Sequence, residues 1–491
     1  MPQQRPNILL IHSDQHRFDC LGINGHPQIK TPNLDRLAHQ GVNFTHAFTP
    51  TPICSPARAS LVTGQWPTQH GCINISQTES YHPANLKAPT LWQLLKDTGY
   101  QVGMVGKFHK EVTGLPTDHG VDDYVSEYEY GKWRKEQGIA DRPDSQKLAG
   151  ELDPHITSNQ SRLGWEADHV LRLIDNYESA GPAPGSSQKK QAPASPKKNQ
   201  DNPWFMRWDP SEPHLPNRIP AELADLYPPK KIEPWPSFPD PLENKPYSQH
   251  RVIQNWGIQD WQWHQWQPIV SRYLAEITLL DTQLGRILDD LQQRGIFDNT
   301  LIIYTTDHGD MCGAHGMIDK HFNMYDDIMR VPLIMRWPSH VQANQSSDAF
   351  VIHEMDMAST ICTAAQVPCP QTFEGRDLVM VANEQDPAPR EDVFGMYQGA
   401  QQGLYSTRMV RDHQWKYVFH PTDKHELYFL PDDPGELNNR IDDPKAKQEL
   451  TRLRHRMIHW MQSIKDPLLN PWMRNQLDPQ SPNTLLPLSE N

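Results

Sequence analysis

Six cysteines in 491 residues, at positions 20, 54, 72, 312, 362 and 369, are too few for a disulfide scaffold and show no zinc-site spacing. Long apolar runs are missing too: no stretch of about 18 apolar residues occurs, so no membrane span is expected. Positive charge is in deficit. Lys and Arg number 46 against 60 Asp and Glu, and the formal net charge of -14 argues against a nucleic-acid partner. It leaves an anionic small substrate open, because the groups lining a pocket set its local field. The opening MPQQRPNILL enters an apolar segment without the basic region, apolar core and cleavage site of a leader. The chain therefore reads as cytoplasmic as written, or as periplasmic or secreted if a signal peptide has been removed.

The length suffices for one large core and a smaller module, and the 45 prolines and a polar insert explain much of the modest 36% hydrophobic content. Short apolar runs alternate with helical patterns. Ile8–Ile11 and Leu301–Thr305 read as buried strands, and TPNLDRLAHQG, APTLWQLLKDTGY and SRYLAEITLLDTQLGRILDDLQQRG read as helices with their stop signals. This alternation implies an α/β sandwich built on a large, mostly parallel sheet flanked by helices. The expected organisation is a catalytic region over 1–375, a small antiparallel-sheet subdomain over 376–470 and a C-terminal arm over 471–491. Two inserts interrupt the first region. Residues 179–202 are rich in Pro, Ser and Lys and can bury little. Residues 216–268 are rich in Pro and Trp, including Trp235, Trp256, Trp261, Trp263 and Trp266; these rings either pack the insert or form an aromatic wall for a sugar.

The chemistry-bearing residues lie where the strands end. The first strand delivers Ser13-Asp14-Gln15 and the later one Asp307-His308-Gly309-Asp310, as expected if both feed one site at the carboxyl edge of a parallel sheet. QVGMVGKFHKE adds Lys107 and His109, two apart on a predicted strand and so facing one side. FMRWDPSEPHLP adds His214. Between these blocks stands CSPARASLVTG, residues 54–64, a C-x-P-x-R pattern with Arg58 one helical turn beyond Cys54. Alone, Cys54 would pass for a buried structural cysteine.

Taken together, the blocks resemble the formylglycine-dependent type I sulfatase family of the alkaline-phosphatase-like superfamily. The resemblance extends to KTPNLDRLAHQGVNFTHAF and to HELYFLPDDPGELNN, and spans most of residues 5–440. It implies oxidation of Cys54 to Cα-formylglycine by a formylglycine-generating or sulfatase-maturing enzyme. The hydrated aldehyde then attacks sulfur, and collapse of the sulfated hemiacetal expels sulfate. It also implies one divalent cation held by Asp14, Gln15, Cys54, Asp307 and His308, with Ca²⁺ favoured by the oxygen ligands and Mg²⁺ or Mn²⁺ as alternatives. Gln15 and His308 depart from the commonest pattern, which has Asp and Asn there. By the same resemblance Arg58 pins the diol, Lys107 bridges diol and sulfate, His109 is the base for collapse, and His214 and Lys320 meet the transferred group or the leaving oxygen. Asn74 and Asp310 are accessory candidates that would otherwise brace loops. The implied function is hydrolysis of a sulfate monoester on a sulfated small molecule or oligosaccharide, in a chain that could self-associate through its arm. Two other readings remain: a phosphonate monoester hydrolase or phosphodiesterase of the same superfamily, and a sulfated-ligand binding protein without turnover.

Overall fold

The computed structural model describes residues 5–75, 81–142, 150–179, 203–320 and 322–478. At its centre is a sheet of eight strands in the order Gln345–Ser347, Val42–Phe44, Leu333–Arg336, Thr300–Thr306, Asn7–Ser13, Trp204–Asp209, Gln101–Gly106 and Asp123–Ser126. Only Leu333–Arg336 runs against its neighbours; the remaining pairings are parallel. The fold is therefore α/β with a mostly parallel sheet.

Burial explains the apolar runs. All seven residues of Asn7–Ser13 and all seven of Thr300–Thr306 are buried, as central strands covered on both faces require. Alternate side chains serve opposite layers: Ile8 and Leu10 join the core under the helices Cys54–Thr63, Leu91–Asp97 and His353–Ala364. Leu9 and Ile11 face the other layer, formed with Arg162–Ser179 and Trp263–Gln293. Register aligns Ser13 with Thr306, so the two acidic strand ends emerge side by side. The strand Trp204–Asp209 brings a third carboxylate, Asp209, to the same edge.

A separate antiparallel sheet of four strands, Val393–Gly399, Tyr405–Arg411, Trp415–Phe419 and Glu426–Phe429, packs beneath the helix Lys447–Ser463. Of the expected arm, Pro471–Leu477 is a helix whose Leu477 is buried in this same core, and 479–491 lie outside the described residues. The expected excursion at 179–202 also falls outside them, apart from Ser179. In the Trp-rich insert the long helix starts earlier than its apolar spacing suggests, at Trp263, and carries Pro268 within its second turn. Its tryptophans pack rather than line a cleft. Trp266 is fully buried against Trp261, and the Trp235 and Trp263 indole N–H groups donate to the carbonyls of Cys312 and Ile232. Among the described helices none is long and apolar enough to cross a membrane.

Candidate active site

Cys54 is the first residue of the helix Cys54–Thr63, all ten residues of which are buried. The helix is closed by Gly64 in the left-handed conformation, φ 64°. This places the Cys54 side chain at the helix amino end, 2% exposed, with Sγ 3.2 Å from His308 Nε2 and 3.8 Å from Asp14 Oδ1. One turn on, Arg58 projects under the strand ends. Its guanidinium donates to Asp307 Oδ2 (3.0 Å), Asp14 Oδ2 (3.0 Å) and Asp209 Oδ1 (2.6 Å), and all four groups are fully buried. Three carboxylates on one cation are repulsive unless further positive charge is nearby. Lys107 supplies some of it, 2.5 Å from Asp14 Oδ2.

Lys107 and His109 do not share a strand. The strand ends at Gly106 with φ 107°, where a Cβ would stand 2.2 Å from the Asp209 carbonyl oxygen, so only glycine allows this approach. The chain then turns, and Lys107 N–H donates to that carbonyl at 2.8 Å. Lys107 and His109 thus enter the site from a loop. The loop is held by Ser55 Oγ donating to the His109 carbonyl (2.9 Å) and by Glu111 accepting the His109 N–H (3.0 Å).

On the other side Lys320 Nζ donates to Gln15 Oε1 and to His214 Nε2, both at 2.6 Å. His214 Nδ1 donates to the Leu215 carbonyl at 2.6 Å, which leaves Nε2 as the acceptor toward Lys320. A cavity of about 390 Å³ is lined by Cys54, Lys107, His109, His214 and Lys320. None of the five tryptophans of the insert lines it.

The electrostatics follow from these contacts. Burial disfavours the Asp14 carboxylate, but Lys107, His214, Arg58 and Lys320 reverse this and hold its pKa well below the usual range. For Cys54, burial and Asp14 favour the neutral thiol. Lys107, Lys320 and His308 outweigh them and hold the pKa well below that of an ordinary thiol. Burial also disfavours charged His308, yet Asp307 and Cys54 push it up to about 9. Arg58 is held charged by Asp307, Asp14 and Asp209 in spite of its burial.

Ligand atoms of Asp14, Cys54, Asp307 and His308 all lie within 4.8 Å of one another. Two carboxylates, an imidazole and residue 54 form a donor set that suits a divalent cation. His308 is oriented for the task, since Nδ1 donates to the Gly309 carbonyl at 2.9 Å and Nε2 points inward. Gln15, expected among the ligands, is otherwise engaged: its Oε1 accepts from Lys320, and its Nε2 donates to Asp310 Oδ2 at 2.6 Å. Asp310 also accepts the Cys312 N–H at 2.8 Å, so it braces Gln15 and its own turn. Asn74 is buried, and its Oδ1 accepts the N–H of Ile75; Ile75, not Asn74, reaches the cavity.

Sequence reading passed over a chain of buried groups behind Arg58. Asp209 accepts from Arg58 and Arg207 and faces His12 Nδ1 at 3.2 Å, and His12 Nε2 faces Glu354 at 2.9 Å. Asp209 ends a buried strand, the same signal that marked Asp14 and Asp307. Glu354 lies in a helix and carried no such signal.

The family model for sulfatases matches residues 6–367, about three quarters of the chain. The chain belongs to the sulfatase family. A second model, N-sulphoglucosamine sulphohydrolase C-terminal, matches residues 313–463. Among curated relatives, the uncharacterized sulfatase YidJ of Escherichia coli is 28% identical, covering 96% of this chain and 91% of its own. The N-acetylglucosamine-6-O-sulfatase of Bacteroides thetaiotaomicron is 26% identical, covering 92% and 86%. The solved phosphonate monoester hydrolase of Silicibacter pomeroyi superposes with a TM-score of 0.79 at 21% identity over 95% of this sulfatase and 97% of its own chain, a likeness of fold. The protein is a sulfatase enzyme with the alkaline-phosphatase-like architecture.

Proposed function

We propose that this sulfatase hydrolyses a sulfate monoester on a sulfated carbohydrate, using formylglycine at position 54 and one divalent cation held by Asp14, Asp307 and His308. The observation that carries the reading is the convergence of Cys54 with those three residues beneath one cavity lined by Lys107, His109, His214 and Lys320. The N-acetylglucosamine-6-O-sulfatase relative supports a sugar as the carrier of the ester.

A divalent cation at the strand ends supplies positive charge against sulfate oxygens, Ca²⁺ suiting the carboxylates and Mn²⁺ better tolerating His308. Formylglycine, once hydrated, supplies an oxygen nucleophile and a second hydroxyl whose deprotonation expels sulfate, an exit that a plain thiol or alcohol lacks. The chain's own residues do the rest. Arg58 neutralises and spaces the carboxylates, and Lys107 offers an ammonium between Asp14 and the cavity. His109 stands in the cavity wall as the base for the collapse step. The ammonium of Lys320 is fixed by donating to Gln15 and to His214 Nε2, and its remaining N–H is the proton donor for the leaving oxygen, with His214 as the acceptor that orients it. With Cys54 2% exposed, a maturing enzyme must reach it before the chain closes.

The test is kcat/KM for a sulfate monoester and a phosphate diester bearing the same aryl leaving group, on protein whose Cys54 conversion is verified by peptide mass. Preference for the sulfate supports the reading. Preference for the diester overturns it in favour of a phosphonate monoester hydrolase-like activity, and tight sulfate-ester binding without turnover by converted protein would mark a binding protein.

A further inference from the structure

We infer that Arg142 and Arg218, in the wall of the active-site cavity, bind a second anionic group of the substrate, so that the ester preferred by this enzyme sits on a polyanionic saccharide; this deepens the carbohydrate-sulfatase reading and rests on it. Four arginines line the cavity together with Cys54: Arg134, Arg142, Arg162 and Arg218. Two are matched by acid. Arg134 meets Asp153 at 2.6 Å, and Arg162 meets Glu127 at 2.9 Å and Glu212 at 3.0 Å.

The other two have no carboxylate within ion-pair distance among the described residues. The Arg142 guanidinium lies 4.8 Å over the Tyr130 ring. Burial, with the charges of Arg162 and Arg218 nearby, lowers its pKa to about 10, the mark of a desolvated cation only partly offset by Glu212. Arg218 Nε and Nη2 are shut away from solvent without a hydrogen-bond partner. Both residues line the cavity, and neither guanidinium hydrogen-bonds to another described residue, so an anion in the cavity would meet cations whose charge no acceptor already satisfies.

The fold fixes where Arg218 stands. It opens the strand Arg218–Pro220, registered on Glu151–Asp153, and its N–H donates to Glu276 Oε1 at 2.7 Å. Glu276 makes no ion pair with the Arg218 guanidinium: its Oε1 accepts the Arg218 backbone N–H and its other oxygen accepts from Asn217, while burial and neighbouring Glu212 raise its pKa. Two guanidinium forks without acidic partners suit an anion with paired oxygens, either a carboxylate or a second sulfate ester.

The deciding experiment uses full-length protein with verified Cys54 conversion and three substrates: a sulfated disaccharide that carries a uronate and a second sulfate, its carboxyl-reduced form, and its form lacking the second sulfate. The expected wild-type result is a fall in kcat/KM of about tenfold or more, carried by KM, on removal of one of the two anions. A fall on carboxyl reduction identifies a carboxylate, and a fall on desulfation a sulfate ester. In Arg218→Gln and Arg142→Gln variants, shown to be folded by thermal melts, that ratio should shrink to within about twofold of unity. Equal efficiency on all three substrates, or a ratio that survives in both variants, overturns the inference. Absence of any turnover would instead fail the catalytic reading. Calorimetric Kd values for the same disaccharides on unconverted protein then decide, with unchanged affinity in both variants again overturning the subsite.

Discussion

Replacing Arg58 by Met keeps most of its bulk and removes its charge, and the cost follows from what each carboxylate retains. Asp14 keeps Lys107 at 2.5 Å, and Asp209 keeps Arg207 at 2.7 Å and His12 at 3.2 Å. Asp307 keeps two backbone donors, the N–H groups of Gln15 at 3.1 Å and His308 at 2.9 Å, and His308 Nε2 at 3.6 Å. The loss is therefore dominated by one poorly compensated buried carboxylate, for which about 3–5 kcal/mol is the expected scale, rather than by three. A divalent cation ligated by Asp14 and Asp307 replaces part of the missing charge, so the loss in saturating Ca²⁺ should be smaller by about 1–3 kcal/mol. The assay is urea denaturation followed by tryptophan fluorescence, with chelator and with Ca²⁺, for wild type and variant. A loss below about 1 kcal/mol in chelator would refute the view that Arg58 balances buried charge. An equal loss under both conditions would falsify the placement of a cation against these two carboxylates.

The remaining expectations can be checked one by one. Lys107→Ala should lower kcat/KM by about 10²–10³, because its ammonium faces the cavity, and should also lower thermal stability, though less than Arg58→Met, because Asp14 loses its 2.5 Å partner but keeps Arg58; a kcat/KM loss below about tenfold speaks against its role. Gly106→Ala forces a Cβ to 2.2 Å from the Asp209 carbonyl oxygen at φ 107°, so it should destabilise by more than about 1–2 kcal/mol and depress activity by displacing Lys107, measured by melts and aryl sulfate turnover. His70 is buried, and burial lowers its pKa from 6.5 to about 3. Its folded-state pKa is depressed, so the unfolded chain binds the extra proton, and its contribution is complete above pH 6.5 and lost as pH falls from there toward 3. His70→Gln should accordingly flatten the fall in stability between pH 6.5 and 4 by up to about 1.4 kcal/mol per pH unit, and an unchanged slope in denaturation series would count against it.

What could be read from the sequence followed from burial on two faces. Asn7–Ser13 and Thr300–Thr306 are unbroken apolar runs because helices cover both sides of the sheet, and polar residues immediately after such runs have one place to go, the carboxyl edge. That logic brought Asp14, Asp307 and His308 together without coordinates. It failed where backbone conformation departs from periodicity. Gly106 adopts φ 107° and ends its strand early, so the two-residue spacing of Lys107 and His109 says nothing about a shared face. Gln15 adopts φ 65°, and its amide turns to Lys320 and Asp310 although its neighbour Asp14 faces Cys54. The tryptophans of the insert could be read as packing or as a wall for a sugar because composition carries no direction; the helix that starts at Trp263 buries Trp266, Trp261 packs on that ring, and Trp235 is buried with its indole N–H on the Cys312 carbonyl.

Arg142 and Arg218 show the same limit from the other side. Arg142 follows the helix Glu129–Glu136 in irregular chain, and Arg218 opens a three-residue strand, so neither sits in a pattern long enough to reveal which way it points. Each resembles any of the 46 basic residues of an acidic protein until the matched pairs around it are known. The catalytic centre is legible because several strand ends must converge on it, whereas a substrate-selecting wall is assembled from single residues on unrelated segments. Specificity in this fold is therefore to be sought among cavity-facing cations that lack an acidic partner, a property that depends on three-dimensional neighbours and on no spacing along the chain.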